Sequence, residues 1–168
     1  APQFVGLLAK LHTIDAAAVD GLEHFQRAEV GSNASIIRQV NSLRRIWEED
    51  RIEEEPLLEI VYRWLIANAP ALDHVSIVHG DYRIDNMIFD AKEPKVNAVL
   101  DWELSTLGDP LADFTYLLVN WMMPYEGRSH IDGLDLKSLG IPTLDETVAL
   151  YCARTGRAAI PDLNWYFA

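Results

Sequence analysis

The chain has 168 residues, enough for one domain with a sizeable core, and its 49% hydrophobic and 24% charged residues are those of an ordinary folded protein rather than a disordered one. A net charge of −12 argues against nucleic acid as a partner, because a phosphate backbone needs a basic footprint, and it suits a cationic substrate only weakly, since net charge says little about one cleft. The single Cys152 rules out an internal disulfide framework, no apolar run approaches a bilayer span, and Ala1 to Lys10 lacks the basic start and cleavage site of a signal peptide, so a cytoplasmic setting without a membrane partner is expected.

Phe4, Leu7, Leu8 and Leu11 recur at helical spacing and predict an opening helix with one buried face, in which His12 reads as a cap or a solvated side chain. Asp15 can cap a short turn through Ala16 to Val19, ended by Gly21, and Glu23 to Asn33 reads as loop. Ser35 is the expected N-cap of a second helix whose stripe is Ile36, Val40, Leu43 and Trp47. Glu53, Glu54 and Glu55 favour the positive end of a third helix, with Pro56 in its first turn and Leu57, Ile60, Val61, Trp64 and Leu65 along it. This acidic run is read as a helix start rather than a metal site.

Ile77 and Val78 read as a strand that delivers His79, Gly80 and Asp81 to its end. Met87 to Phe89 and Val96 to Leu100 read as two further strands, joined by a turn over Ala91 to Lys95 that contains Pro94. Asp81, Asn86 and Asp101 therefore all stand at ends of apolar strands. Two carboxylates and an amide oxygen make a hard oxygen site of the kind Mg²⁺ prefers, its remaining positions going to phosphates and waters. Each residue alone has a plainer reading: Asp81 as a binder of loop amides, Asn86 as a turn residue, Asp101 as a strand-end cap. Asp109 and Pro110 then open a strongly apolar helix through Leu111, Phe114, Leu117, Leu118, Trp121 and Met122, ended by Pro124. Tyr125 to Ile141 reads as a loop-rich insertion. Thr143 and Glu146 form a capping-box pair for a last helix that Gly156 closes.

The loop His79-Gly80-Asp81-Tyr82-Arg83-Ile84-Asp85-Asn86, followed by Leu100-Asp101-Trp102-Glu103, resembles the H-x-D-x-x-x-x-N loop and later metal-binding Asp of the protein-kinase-like phosphotransferases. The H-G-D opening, the D-W-E ending and Gly108 to Asp113 are similar to the aminoglycoside phosphotransferase family. The run LDWELSTLGDPLADFTYLL looks like the phosphotransferase domains that occur alone in bacteria or fused ahead of an acyl-CoA dehydrogenase in animals. The resemblance extends from about Phe4 to the last residue.

That resemblance implies an α+β, mostly helical fold: the larger C-terminal lobe of a protein-kinase-like fold, with a short β-hairpin carrying the catalytic and metal-binding residues. It implies an enzyme that transfers the γ-phosphoryl group of ATP, or GTP, with Mg²⁺, to a hydroxyl of a small molecule. That molecule would be a hydroxyacyl-type metabolite, an aminoglycoside or another amino alcohol or sugar. Asp81 would take the acceptor proton, and Asn86 and Asp101 would hold Mg²⁺ against the nucleotide phosphates. Arg83 would either stabilise developing phosphoryl charge or form a surface ion pair with Asp85. His79 would be a packed scaffold residue, and Asp109 and Asp113 would cap and brace the helix that supports the loop. Glu103 stands where D-F-G has glycine, and its role is open.

Two expected parts are missing. The nine glycines contain no G-x-G pair, and none of Lys10, Lys92, Lys95 and Lys137 lies in a strand resembling V-A-I-K. The family carries both in a smaller N-terminal lobe. Residues 1–168 are therefore expected to form the larger lobe alone, its partner being the N-terminal lobe of the same polypeptide. Two other classes compete: a catalytically inactive kinase-like binding module, and a metal-dependent phosphohydrolase with His79 and Asp81 as ligands.

Overall fold

The structure, a computed structural model, describes residues 2–25, 28–50, 53, 55–123, 131 and 133–168. The expected stop at Pro124 and most of the first half of the expected insertion lie outside the described residues, as does Glu54. Helix α1 (Pro2–His12) buries Val5, Leu8, Ala9 and His12, which share one face at i, i+3, i+4 and i+7. Asp15 caps a 3-10 turn at Ala16–Ala18 by accepting from the Ala17 amide. Helices α2 (Ala34–Asp50) and α3 (Pro56–Ala67) follow, the second with proline in its first turn as expected. The start of α2 differs from expectation. The Ser32 hydroxyl, not that of Ser35, accepts from the first-turn amide of Ala34, and the Ser35 hydroxyl is buried without a partner.

Four short strands position the site: β1 (Ser76–Val78), β2 (Met87–Phe89), β3 (Val96–Val99) and β4 (Thr106–Gly108). β2 and β3 form the expected antiparallel hairpin, with Met87 opposite Val99 and an irregularity between Ile88 and Phe89. β3 ends at Val99, one residue sooner than expected, because the Leu100 amide and carbonyl are used elsewhere. β1 pairs antiparallel with β4, Ile77 opposite Leu107, a pairing not foreseen in the sequence. Helix α4 (Pro110–Leu118) starts on the Asp109 cap, then tightens into a 3-10 turn at Val119–Trp121, so the regular helix is shorter than its apolar pattern. Helix α5 (Leu144–Thr155) has the full Thr143–Glu146 capping box and closes on Gly156 in the left-handed conformation, φ 75°. A short α6 (Leu163–Tyr166) ends the chain.

The core lies directly under the catalytic-type loop. Val5, Leu8 and Ala9 of α1, Tyr82 of the loop, Met87 of β2, Leu111, Phe114, Leu117 and Leu118 of α4 and Tyr151 of α5 form one buried cluster. The rings of Phe114 and Tyr151 stack 3.9 Å apart within it. A second cluster of Ile36, Val40, Leu72 and Trp165 joins α2 to the C-terminal end. None of the described helices is long and apolar enough to cross a membrane.

Candidate active site

Strand β1 ends at Val78, and the chain turns at once through His79, Gly80 and Asp81. Asp113 of α4 holds that turn: its Oδ2 accepts from the His79 amide at 2.5 Å and its Oδ1 from the Gly80 amide at 2.8 Å. One buried carboxylate thus satisfies two amides that have no strand partner. Gly80 sits at φ 87°, and a Cβ there would meet the Leu104 carbonyl oxygen at 2.5 Å. Only glycine fits between this loop and the segment after Asp101.

His79 is fully buried, and both its ring nitrogens are engaged. Nε2–H donates to the Leu100 carbonyl at 2.9 Å, and Nδ1 accepts from the Asp81 amide at 3.2 Å. This network assigns the proton to Nε2. The Trp102 ring closes over the imidazole at a centroid distance of 4.6 Å. In this structure the imidazole thus ties Leu100 to Asp81, and neither ring nitrogen is free to bind a metal.

The structure brings Asp81 and Asn86 together. Asn86 Nδ2 donates to Asp81 Oδ2 at 2.8 Å and to the Asp81 carbonyl at 3.0 Å. The Asn86 carbonyl in turn accepts from the Leu100 amide at 2.8 Å. Leu100 is thus clasped on both sides, carbonyl by His79 and amide by Asn86, and Asp101 is the next residue. Asp101 lies in the left-handed region at φ 62°, where aspartate is tolerated better than most residues, and its side chain is exposed. No hydrogen bond or ion pair holds its carboxylate among the described residues. The donor set fits Mg²⁺. The Asn86 amide nitrogen is spent on Asp81, so its oxygen is the group left to offer, and Asp101 supplies a free carboxylate. Among the described residues no group of three or more His, Cys, Asp and Glu could hold a metal. Further ligands would therefore be phosphate oxygens and waters.

Arg83 forms an ion pair with a neighbour on its own loop. It pairs with Asp85 through Nε at 3.0 Å and a terminal nitrogen at 2.5 Å, on the exposed surface. Asp109 caps α4 through the Leu111 amide at 2.9 Å and also accepts from the Tyr166 hydroxyl at 2.5 Å. Burial pushes its carboxyl above the usual range, and the Tyr166 hydrogen bond opposes that. Asp113 does more than brace its own helix, since it anchors the loop.

Sequence reasoning missed His12, Tyr116 and Tyr151. His12 is neither cap nor solvated. It is buried, with Nδ1 2.7 Å from the Tyr151 hydroxyl and Nε2 3.4 Å from Asp113 Oδ2. Its place on the buried stripe with Val5, Leu8 and Ala9 was the available signal. Tyr116, on α4, is half-exposed, and partial burial followed by the Asp81 charge pushes its phenol up. A cleft of about 330 Å³ bordered by His12, Asp73, Tyr151 and Arg157 lies behind this network and contains none of the expected site residues.

Known proteins share this arrangement of elements. A model of the "Phosphotransferase enzyme family" matches residues 1–147. The chain is 34% identical over 164 residues to acyl-CoA dehydrogenase family member 10 of Mus musculus, covering 96% of this chain and 15% of that protein. It is 31% identical to family member 11 of Homo sapiens, covering 98% and 21%. The chain thus spans a minor part of the curated relatives it matches. Among solved structures, a Ralstonia eutropha protein assigned as an aminoglycoside phosphotransferase superposes with TM-score 0.84 at 37% identity, over 97% of this chain and 49% of that one. A macrolide 2'-phosphotransferase from Brachybacterium faecium, at 20% identity and TM-score 0.62 over 98% and 47%, shares the fold. The helix-rich α+β architecture is that of the kinase-like phosphotransferases, and with its family model matched over most of its length the chain belongs to the phosphotransferase enzyme family.

Proposed function

We propose that this chain is the larger lobe of a small-molecule kinase that transfers the γ-phosphoryl group of ATP, or GTP, to an alcohol hydroxyl in the cytoplasm. The observation that carries this reading is the Asp81–Asn86 pair, joined at 2.8 Å, with Asp101 held next to it by the clasp on Leu100. A phosphoryl transfer of this kind asks the protein for positioning and charge stabilisation more than for covalent chemistry. Asp81 would accept the proton of the attacking hydroxyl while Asn86 fixes its carboxylate. Asn86 and Asp101 would hold Mg²⁺, which when bound would neutralise charge on the nucleotide phosphates. Arg83, paired with Asp85 on the same loop, would stabilise developing phosphoryl charge on leaving that pair. The glycine-rich loop and the strand lysine would come from an N-terminal lobe of the same polypeptide.

The acceptor class is a small hydroxyl compound. Relatives fused to dehydrogenases favour a hydroxyacyl-type metabolite, and the structural neighbours leave aminoglycosides and other amino alcohols or sugars as the comparison set. The test uses the full-length protein with Asp81→Asn and Asp101→Ala. Asp81→Asn should lower kcat by about 10²–10⁴-fold, the range of general-base contributions, with the Mg·ATP dissociation constant nearly unchanged. Asp101→Ala should weaken Mg·ATP binding itself, read by calorimetry. Wild-type turnover in Asp81→Asn would reject the reading.

A further inference from the structure

The chain carries 26 acidic residues against 14 lysines and arginines, so composition alone favours a carboxylate beside any cation. Arg44, Arg45, Arg63, Arg83 and Arg157 all stand in ion pairs. Lys10, Lys95 and Arg154 do not, and no hydrogen bond holds their side chains among the described residues. Yet these three border a single cleft of about 300 Å³, together with Gln3 and Gly6 of α1 and Val96 of β3. They reach it from three elements: Lys10 from the last turn of α1, Arg154 from the last turn of α5 and Lys95 from the residue before β3. Among the described residues no carboxylate borders the cleft.

Two of the cations are held in place by their surroundings. A Cβ on Gly6 would meet Arg154 Nη1 at 2.9 Å and Cζ at 3.3 Å, so the guanidinium occupies the space this glycine leaves on α1. Glycine is a poor residue inside a helix, and here it makes room for a charge. The Lys95 amide donates to the Glu93 carbonyl at 2.7 Å and its carbonyl accepts from the Asp90 amide at 2.8 Å, which fixes its backbone at the cleft edge. A basic residue in the last turn of a helix offsets the helix dipole, which accounts for Lys10 and Arg154 taken singly. It does not account for Lys95 joining them from the hairpin. Like charges brought together repel, and a bound anion relieves that repulsion.

We propose that this cleft binds a small phosphate monoester, its phosphate held by Lys10, Lys95 and Arg154 and its organic body lying against Leu7 and Val96. The arginine fork matches two phosphate oxygens, and the lysines add point charges. The two apolar side chains favour an ester over the bare ion. The site shares no residue with the Asp81, Asn86 and Asp101 set, and it does not depend on the phosphotransfer reading.

The experiment is calorimetry on the full-length protein in EDTA, with inorganic phosphate and phenyl phosphate as probes. Phenyl phosphate should bind about ten-fold more tightly than inorganic phosphate, because its ring is buried against the apolar wall. Arg154→Gln and Lys95→Gln should each weaken phenyl phosphate about ten-fold, the scale of one charge-assisted hydrogen bond, with the melting curve unchanged. Asp101→Ala, measured alongside, should bind the probe as the wild type does. Gly6→Ala removes no charge but displaces the Arg154 guanidinium, so it should weaken the probe while thermal stability stays level or rises. Absence of binding to the wild type at millimolar probe overturns the inference, and so does wild-type affinity in either glutamine variant. If the glutamine variants lose their cooperative melting, Gly6→Ala decides: weaker binding supports the site, and unchanged affinity overturns it. Equal affinity for the two probes overturns the ester and makes inorganic phosphate the ligand.

Discussion

Gly80 carries the tightest geometric constraint among the site residues. Its φ of 87° is open to few side chains, and the Cβ of an alanine would stand 2.5 Å from the Leu104 carbonyl oxygen and 2.9 Å from the Leu104 Cβ. The obstacle is backbone, so it can give way only by moving the segment that follows Asp101. Gly80→Ala should therefore cost about 2–3 kcal/mol, the sum of a left-handed penalty and an overpacked contact, read as a lower urea midpoint at unchanged slope. Activity should fall further than stability alone predicts, because relief of the clash displaces Asp101. An unfolding midpoint equal to that of the wild type would show that Leu104 does not back the loop. The glycine itself was legible as a turn residue between a strand and Asp81. Its partner was not, because Leu104 lies beyond the whole β2–β3 hairpin and no local pattern joins the two.

At the scale of elements, local signals carried well wherever the physics is local. The Asp109–Pro110 start of α4, the Thr143–Glu146 box and the Gly156 end of α5, and the β2–β3 hairpin depend on residues within a few positions of one another, and all stand as read. The β1–β4 pairing was missed because each strand is three residues long and the two are separated by the hairpin. Ser35 was misread because Ser32, three residues sooner, offers the same hydroxyl to the helix start. Asp113 shows the same limit more sharply. Read as a brace for its own helix, it instead couples α4 to the loop through the His79 and Gly80 amides. Asp113→Asn keeps one acceptor oxygen but sets an NH₂ group against the second amide. A buried donor left unpaired costs about 1–3 kcal/mol, so chemical unfolding should show a loss of that size. The variant should also slow turnover with little change in Mg·ATP affinity, since Asn86 and Asp101 are untouched. A loss below 0.5 kcal/mol, the scale of an ordinary surface substitution (about ±0.5 kcal/mol), would mean that the two amides are satisfied without the carboxylate.

Across the whole molecule, α1, α4 and α5 are tied by a polar contact in the middle of an apolar core. His12, Asp113 and Tyr151 come from three helices far apart in sequence, and hydrophobic periodicity is blind to such a junction. Burial holds the His12 imidazole below its ordinary 6.5, and the neighbouring Asp113 carboxylate opposes this without overcoming it. The unfolded chain therefore binds a proton at His12 in a pH range where the folded chain does not. Unfolding takes up that proton, so the contribution of His12 is complete above pH 6.5 and is lost as pH falls toward the folded value. The slope from one such group approaches about 1.4 kcal/mol per pH unit within that window. Asp109, whose carboxyl burial pushes up, contributes with the opposite sign, but it is common to wild type and variant and cancels in their difference. His12→Gln retains a donor and an acceptor but does not titrate. Urea unfolding of both proteins from pH 8 down to pH 5 should show the variant less stable at pH 8 and flatter below pH 6.5, so that the two curves converge on acidification. Parallel curves would mean that His12 is charged alike in the folded and unfolded states, and that the junction of the three helices is held by the Asp113 ion pair instead.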